Sequence, residues 1–372
     1  MGTAAVDVRF TVTRVAKRVP AADRERVLAN PGFGKVFSEH MATARWDRAS
    51  GWHDAQVRPY GPISMDPGTS VLHYAQAVFE GLKAYRLQDG RVAVFRPGAN
   101  AARFRRSARR LALPELPDGA FVEAIDLLVG LDADWVPSAP EHSLYLRPFM
   151  YASEVNLSVH PSDEVTFVLI ASPSGSYFPS GVKPVTVWLS EDFSRAAPGG
   201  TGEAKTGGNY AGSLLAQAQA AEQGCDQVVW LDAIEHRWVE EMGGMNLFFV
   251  FGTGAKAKLM TPALTGTLLP GITRDALLTL GKDLGYGVEE GRISVEQWRS
   301  GCADGSLTEV FACGTAAVIT PVGAVKSAGG SWPVGAGKPG AISMRLRQEL
   351  VDIQRGAARD VHGWMHAVPT SA

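Results

Sequence analysis

The sequence predicts a two-domain α/β protein with mixed sheets. Its 372 residues suit about two domains. Stretches with strand alternation and stretches with helical spacing follow one another only loosely, which argues against a single doubly wound parallel sheet. A Pro/Gly/Ser-rich segment, PSGSYFPSGVKP, divides the chain. We therefore expect a smaller N-terminal α/β domain over 1–174, a linker over 175–184 and a larger C-terminal domain over 185–372.

Residues 1–30 read as a loosely structured entry, and GFGKVF (32–37) begins ordered structure. VLHYAQAVFEGLKAYR (71–86) carries apolar residues at Val71, Tyr74, Ala75, Val78, Phe79 and Leu82, a helical spacing. RVAVFRP (91–97) reads as a strand, and Asn100 can cap a helix over AARFRRSARRLAL that Pro114 ends. GAFVEAIDLLVGLDADWV is a further helix, while SLYLRPFMYAS and VTFVLIAS are strands. In the second half VTVWLS, DQVVWLD, NLFFVFG and EVFACGTAAVITPV read as strands. TRDALLTLGKDLG and AISMRLRQELVDIQRG read as helices.

Composition excludes several classes. Thirty-six basic against 38 acidic residues give a net charge of −2, so no global field recruits nucleic acid or an anionic membrane. Three irregularly spaced cysteines, Cys225, Cys302 and Cys313, are too few for a disulfide framework or a zinc site and favour a reducing compartment. The first twenty residues lack the apolar core of a signal peptide, and Val6 stands where myristoylation needs Ser or Thr. The apolar runs VTFVLIA and NLFFVFG fall far short of the ~18 residues that span a bilayer. A cytoplasmic protein is the expectation.

The stretch that carries chemistry is GGTGEAKTGGNYAGSLLAQAQA, Gly199 to Ala220. Glycines let the backbone approach a ligand closely, and a helix opening just after such a loop offers amides to an anion. Lys205 is the only cation in it. A phosphate-cradling loop would use this lysine as a point charge; a Schiff-base site would use it as a nucleophile in a poorly solvated pocket. Counted from Gly199, the P-loop pattern needs Gly where this chain has Ala204, and the preceding DFSRAAP is no hydrophobic strand. A flexible turn with an exposed lysine is the plain alternative.

A cofactor aldehyde on Lys205 also requires a phosphate cup and a carboxylate for a pyridine nitrogen. Glu240 and Glu241, just before NLFFVF, point to opposite faces if extended, so one can enter a pocket; both are solvated turn residues in the alternative reading. LPGITRDALL offers Gly271, Ile272 and Thr273 at a helix start, and CGTAAVI offers another Gly-Thr pair. RFRRSARR (103–110) reads as a solvated helix face with one arginine turned inward, suited to a phosphate. His362 and His366 stand at i, i+4 spacing without a third ligand, so no metal site is expected.

With these motifs in order, the chain resembles the branched-chain-amino-acid aminotransferases, within the fold type IV pyridoxal-phosphate enzymes. The resemblance runs through GFGKVFSEHM, HYAQAVFEGLKAYR, FRPGANAARF, SLYLRPF, GGTGEAKTGGNYAGSLLAQ, GCDQVVWLD, EEMGGMN, LLPGITR, CGTAAV and DIQRG. It implies a D-amino-acid-aminotransferase-like, two-domain α/β fold with mixed sheets, the larger C-terminal domain binding pyridoxal 5'-phosphate. It implies reversible transamination of L-leucine, L-isoleucine and L-valine with 2-oxoglutarate. A D-amino-acid aminotransferase or an aminodeoxychorismate lyase is the alternative within the same fold. Lys205 would form the Schiff base and shuttle the proton, Tyr210 would bond the phenolic oxygen and Glu241 would face the pyridine nitrogen. Arg103, with Gly271, Ile272, Thr273 and Thr315, would hold the phosphate, and Leu269 would pack on the ring. Phe33, Phe79, Tyr145 and Tyr177 would form an apolar pocket, while Tyr74, Arg147 and the Thr315–Ala316 amides would orient a carboxylate. Gly244 stands where some relatives carry threonine. Ala317 and Thr320 stand where mammalian relatives carry a Cys-x-x-Cys pair, so no thiol switch is expected. The family implies a homodimer, with the site near the domain interface and reached by a loop of the partner.

Overall fold

The computed structural model describes residues 8–178 and 181–369. They fall into two compact units, Met1–Ser176 with Ala204–Gly207 and Ile353–Ala372, and Tyr177–Glu203 with Gly208–Asp352. The sequence reading assigns everything from 185 onward to the second domain. Main-chain pairing draws the lysine quartet and the C-terminal segment to the first unit instead: Thr206 bridges Val78, and the last strand joins the first sheet.

The first sheet contains β1 (Thr11–Val12), β2 (His40–Asp47), β3 (Gly51–Pro59), β4 (Ala77–Phe79), β5 (Leu82–Arg86), β6 (Val92–Phe95), β7 (Ser143–Ala152) and β8 (Glu164–Ser174). The second contains β9 (Val185–Ser190), β10 (Gln227–Leu231), β11 (Val239–Met242), β12 (Met245–Phe251), β13 (Lys258–Pro262), β14 (Gly287–Gly291), β15 (Leu307–Gly314), β16 (Val318–Ser327) and β17 (Gly330–Pro333). A last strand, β18 (Met365–Ala367), pairs with β6 at the edge of the first sheet. The helices are α1 (Ala21–Ala29), α2 (Val71–Tyr74), α3 (Pro97–Arg110), α4 (Asp118–Leu131), α5 (Gly207–Ala211), α6 (Leu214–Glu222), α7 (Ile272–Asp283), α8 (Val295–Asp304) and α9 (Ala341–Arg355).

The first sheet runs β1-β3-β2-β8-β7-β5-β6-β18, with β4 also on β7. In the second, β11-β10-β9-β16-β15-β12 close into a ring through β11–β12 pairing. Parallel pairs (β1–β3, β9–β10, β9–β16, β13–β14) stand among antiparallel ones, so both sheets are mixed, as expected. Helices α3 and α4 cover the first sheet through Phe104 and Phe121, whose rings lie 5.4 Å apart and meet Phe167 of β8 at 5.9 and 6.5 Å between centroids. Each is fully buried and contributes roughly 2–3 kcal/mol by its area. The ring of the second unit closes around Leu189, Val229, Leu247, Phe249 and Trp298.

The segment 71–86 is the main departure from the sequence reading. Only Val71–Tyr74 is helical; Ala75 then takes φ 52°, a left-handed conformation that ends the turn. Val78 and Phe79, β-branched and aromatic, enter β4 against β7, and Leu82–Arg86 forms β5. The helical spacing of its apolar residues is coincidental, because those residues serve two short strands and a turn. Residues 8–30, the described part of the N-terminal segment, are also more ordered than expected, with β1 and α1. Helix α3 starts at Pro97 rather than at an Asn100 cap; Asn100 Nδ2 bonds the Arg96 carbonyl inside the first turn. EVFACGTAAVITPV is two strands joined by a turn at 315–317.

Candidate active site

In the first unit Lys205 is fixed through its backbone. Its N–H donates to Ser107 Oγ at 2.9 Å, its carbonyl accepts from the Phe79 N–H at 2.9 Å, and the neighbouring Thr206 hydroxyl donates to the Ala77 carbonyl. The loop is therefore tethered to β4 and α3, which argues against a free turn. Nζ lies 4.9 Å from the centre of the Phe79 ring. Arg147 lies 4.9 Å from the same ring and 5.3 Å from that of Tyr145, and its Nη2 donates to the Tyr145 hydroxyl at 3.1 Å. Phe33 meets Tyr145 edge-on at 5.0 Å. Five expected residues, Phe33, Phe79, Tyr145, Arg147 and Lys205, are thus brought together as an aromatic patch with two cations, held in part by ring quadrupoles. A Cβ at Gly81 would stand 2.0 Å from the Tyr145 hydroxyl, so only glycine there lets this ring sit where it does. Tyr74 turns elsewhere and gives its hydroxyl to the Leu157 carbonyl.

Arg103 is the inward arginine of α3, 3% exposed. It forms a two-point ion pair with Glu80, Nε to Oε1 at 2.7 Å and Nη2 to Oε2 at 2.8 Å. Such a fork fixes the guanidinium plane. Along the same helix Arg105 pairs with Asp118 and Arg109 with Glu115, so the basic run is largely neutralised. His366 bonds Asp126, and His362 stacks on Trp364.

In the second unit Glu240 and Glu241 occupy β11, both buried; neither is the solvated turn residue of the alternative reading. Glu241 Oε1 accepts from the Leu269 N–H at 2.8 Å and from Asn246 Nδ2 at 3.1 Å, while Oε2 stands 2.9 Å from Arg195 Nε. Glu240 takes the Thr267 hydroxyl, and burial pushes its carboxyl above the usual range against that bond and Arg195. Gly271 is the N-cap of α7, with Ile272 and Thr273 in the first turn. A Cβ at Gly271 would stand 2.0 Å from Asn246 Oδ1, so this glycine makes room for the side chain that steadies Glu241. Tyr210 lies on α5, and a Cβ at Gly244 would come within 3.1 Å of its ring. Thr315 and Ala316 form the turn between β15 and β16, and Tyr177 stands edge-on to Phe178 at 4.9 Å.

In the first unit a tethered lysine suits a cofactor aldehyde; in the second, a buried carboxylate beside a guanidinium suits a pyridine nitrogen and a helix start capped by glycine suits a phosphate. The sequence profile of the family described as Amino-transferase class IV matches residues 77–325. The chain belongs to this family. This class IV aminotransferase is 60% identical over 359 residues to the branched-chain-amino-acid aminotransferase of Mycolicibacterium smegmatis, covering 96% of this chain and 98% of the relative. The crystal structure of the Escherichia coli branched-chain amino acid aminotransferase superposes with a TM-score of 0.74 at 28% identity, covering 89% of this chain and all of that one. The T.th. branched-chain amino acid aminotransferase, solved with pyridoxamine 5'-phosphate, gives 0.71 at 28% identity, covering 88% of this chain and 99% of that one. The family's two-domain fold of type IV is the fold of this chain.

Sequence reasoning misses four residues of this aminotransferase: Glu80, Ser107, Arg195 and Asn246. A signal exists for two of them. Glu80 is an acid inside the apolar run AVFEGL, and Asn246 is a polar residue at the head of NLFFVF. Buried polar groups need partners, so each implies one. Nothing in DFSRAAP or FRRSA singles out Arg195 or Ser107.

Proposed function

We propose that this aminotransferase transfers the amino group of L-leucine, L-isoleucine or L-valine to 2-oxoglutarate, giving branched-chain 2-oxo acids and L-glutamate. The names of its near full-length relatives support the substrate class. The observation that carries the site assignment is Lys205, tethered at Ser107 and Phe79 beside the aromatic patch. The same relatives do not favour a D-amino-acid aminotransferase or an aminodeoxychorismate lyase.

The cofactor is pyridoxal 5'-phosphate, which when bound supplies an electron sink for the pair released at the substrate Cα. In the first unit Lys205 Nζ binds the cofactor and then carries the proton from the substrate Cα. Arg103, oriented by Glu80, offers its guanidinium to the phosphate. Phe33, Phe79 and Tyr145 supply apolar surface for a branched side chain, and Arg147 takes a carboxylate; Tyr74, whose hydroxyl is engaged by the Leu157 carbonyl, has no part in this patch. One pocket must accept both leucine and glutamate, and an arginine over aromatic rings serves both. In the second unit Glu241 keeps a proton on the ring nitrogen, Tyr210 donates to the phenolic oxygen, and Leu269 packs against the ring. Gly271, Ile272, Thr273 and Thr315 offer amides and hydroxyls to the phosphate. The Thr315–Ala316 amides and Tyr177 complete the substrate contacts, and Gly244 leaves them without a hydroxyl.

A role in branched-chain amino acid biosynthesis, a cytoplasmic location and a homodimer belong to this reading; no helix among the described residues is long and apolar enough to cross a membrane. A solution mass of twice 39.7 kDa is the check on the dimer. The direct test of the site is Lys205→Ala. We expect turnover of L-leucine to fall by ~10³-fold or more, with the melting temperature little changed. Turnover near the wild-type rate would refute the assignment.

A further inference from the structure

Arg195 lies ahead of the lysine loop and has no role in the reading above. Its side chain is 6% exposed and that of Glu241 2%, with Nε 2.9 Å from Oε2. The Nε–H does not point along that line, so charge rather than an aligned hydrogen bond holds the pair. The same guanidinium reaches two main-chain oxygens through Nη2: Gly202 at 3.2 Å, and Thr267. Gly202 is three residues before Lys205. A Cβ at Gly202 would stand 2.2 Å from the Thr267 carbonyl and 2.7 Å from Ala196 Cβ, so these strands of chain touch at the arginine. Other titratable groups also lie near Glu241. Cys313, the register partner of Asn246, is a buried thiol that burial keeps protonated, and Arg274 acts on that same thiol. Glu240 points to the opposite face and takes Thr267.

We propose that Arg195 is a positioning residue for amino transfer: its charge holds the Glu241 carboxylate, and its terminal nitrogen fixes the base of the lysine loop at Gly202. The inference rests on the functional reading above, in which Glu241 serves the ring nitrogen. A buried carboxylate stripped of its cation takes up a proton or shifts, and a protonated Glu241 no longer keeps a proton on the ring. Arg195 therefore acts through Glu241, and the two residues should behave as one unit.

The test is a double-mutant cycle with Arg195→Met, Glu241→Gln and the double variant, with Arg195→Lys as the conservative change. Three quantities are read: the pyridoxal phosphate dissociation constant from visible absorbance, the single-turnover rate with L-leucine, and the melting temperature of the cofactor-free protein. We expect Arg195→Met to slow the single turnover by ~10–100-fold and to weaken cofactor binding. The double variant should be no more than ~3-fold slower than Glu241→Gln alone. Arg195→Lys, which keeps the charge, should recover most of the rate, and it carries the test if Arg195→Met does not fold. Multiplicative effects in the cycle, or Arg195→Lys as slow as Arg195→Met, would overturn the inference while leaving the functional reading intact. A wild-type protein that takes up no pyridoxal phosphate would overturn both.

Discussion

Cys225, Cys302 and Cys313 show how surroundings set the chemistry of a residue type. All three are free. Burial pushes the Cys302 thiol up to about 11 and raises Cys225 and Cys313 as well. The thiolate is the reactive form, so these cysteines are inert at neutral pH. The positions that carry a Cys-x-x-Cys pair in some relatives hold Ala317 and Thr320, both buried. We predict that mild peroxide leaves L-leucine turnover unchanged; loss of activity that added thiol restores would contradict this. Lys205 is legible at the same scale, because glycine on both sides of a lone cation is a strong local pattern. Arg195 is not, since its ion pair with Glu241, distant in sequence, leaves no local pattern.

Among the elements, the turn from Asp232 to Trp238 can be tested through pH. Asp232 accepts from the N–H groups of Ile234, Glu235, Arg237 and Trp238, and these bonds lower its carboxyl to about 2 against the cost of burial. A carboxyl lowered in the folded state stabilises it above the unfolded value, and that contribution disappears as pH falls from about 4 through about 2. Asp232 is only partly buried, so after discounting for solvent we expect ~1 kcal/mol. Asp232→Asn should melt lower than wild type at pH 7, with the gap closing below pH 4; a gap that persists at low pH would argue against this origin. The strands and long helices after residue 90 can be read from periodicity, which their burial enforces. Segment 71–86 cannot, because the left-handed Ala75 and the pairing of β4 with β7 are decided by partners about 70 residues away. The same holds for Asn100, whose side chain closes onto Arg96 after Pro97 has already begun the helix.

For the whole molecule, the order of motifs from GFGKVF to DIQRG says more than any single element. It identifies the family and its two-domain fold, and the match over 77–325 agrees. What it does not convey is that the lysine quartet and the C-terminal strand belong to the first compact unit. That membership follows from bonds of the Lys205 main chain to the Phe79 N–H and to the Ser107 hydroxyl, and from the pairing of β18 with β6, which composition and spacing do not encode. The central claim is that the purified protein with pyridoxal phosphate is an aminotransferase for branched-chain L-amino acids. The most direct measurement is its visible absorbance before and after L-leucine, with D-alanine as the control. We predict a yellow protein whose visible band L-leucine removes as the pyridoxamine form appears, while D-alanine leaves it unchanged. A yellow protein that answers D-alanine and ignores L-leucine, or a protein that stays colourless with added pyridoxal phosphate, would contradict the account.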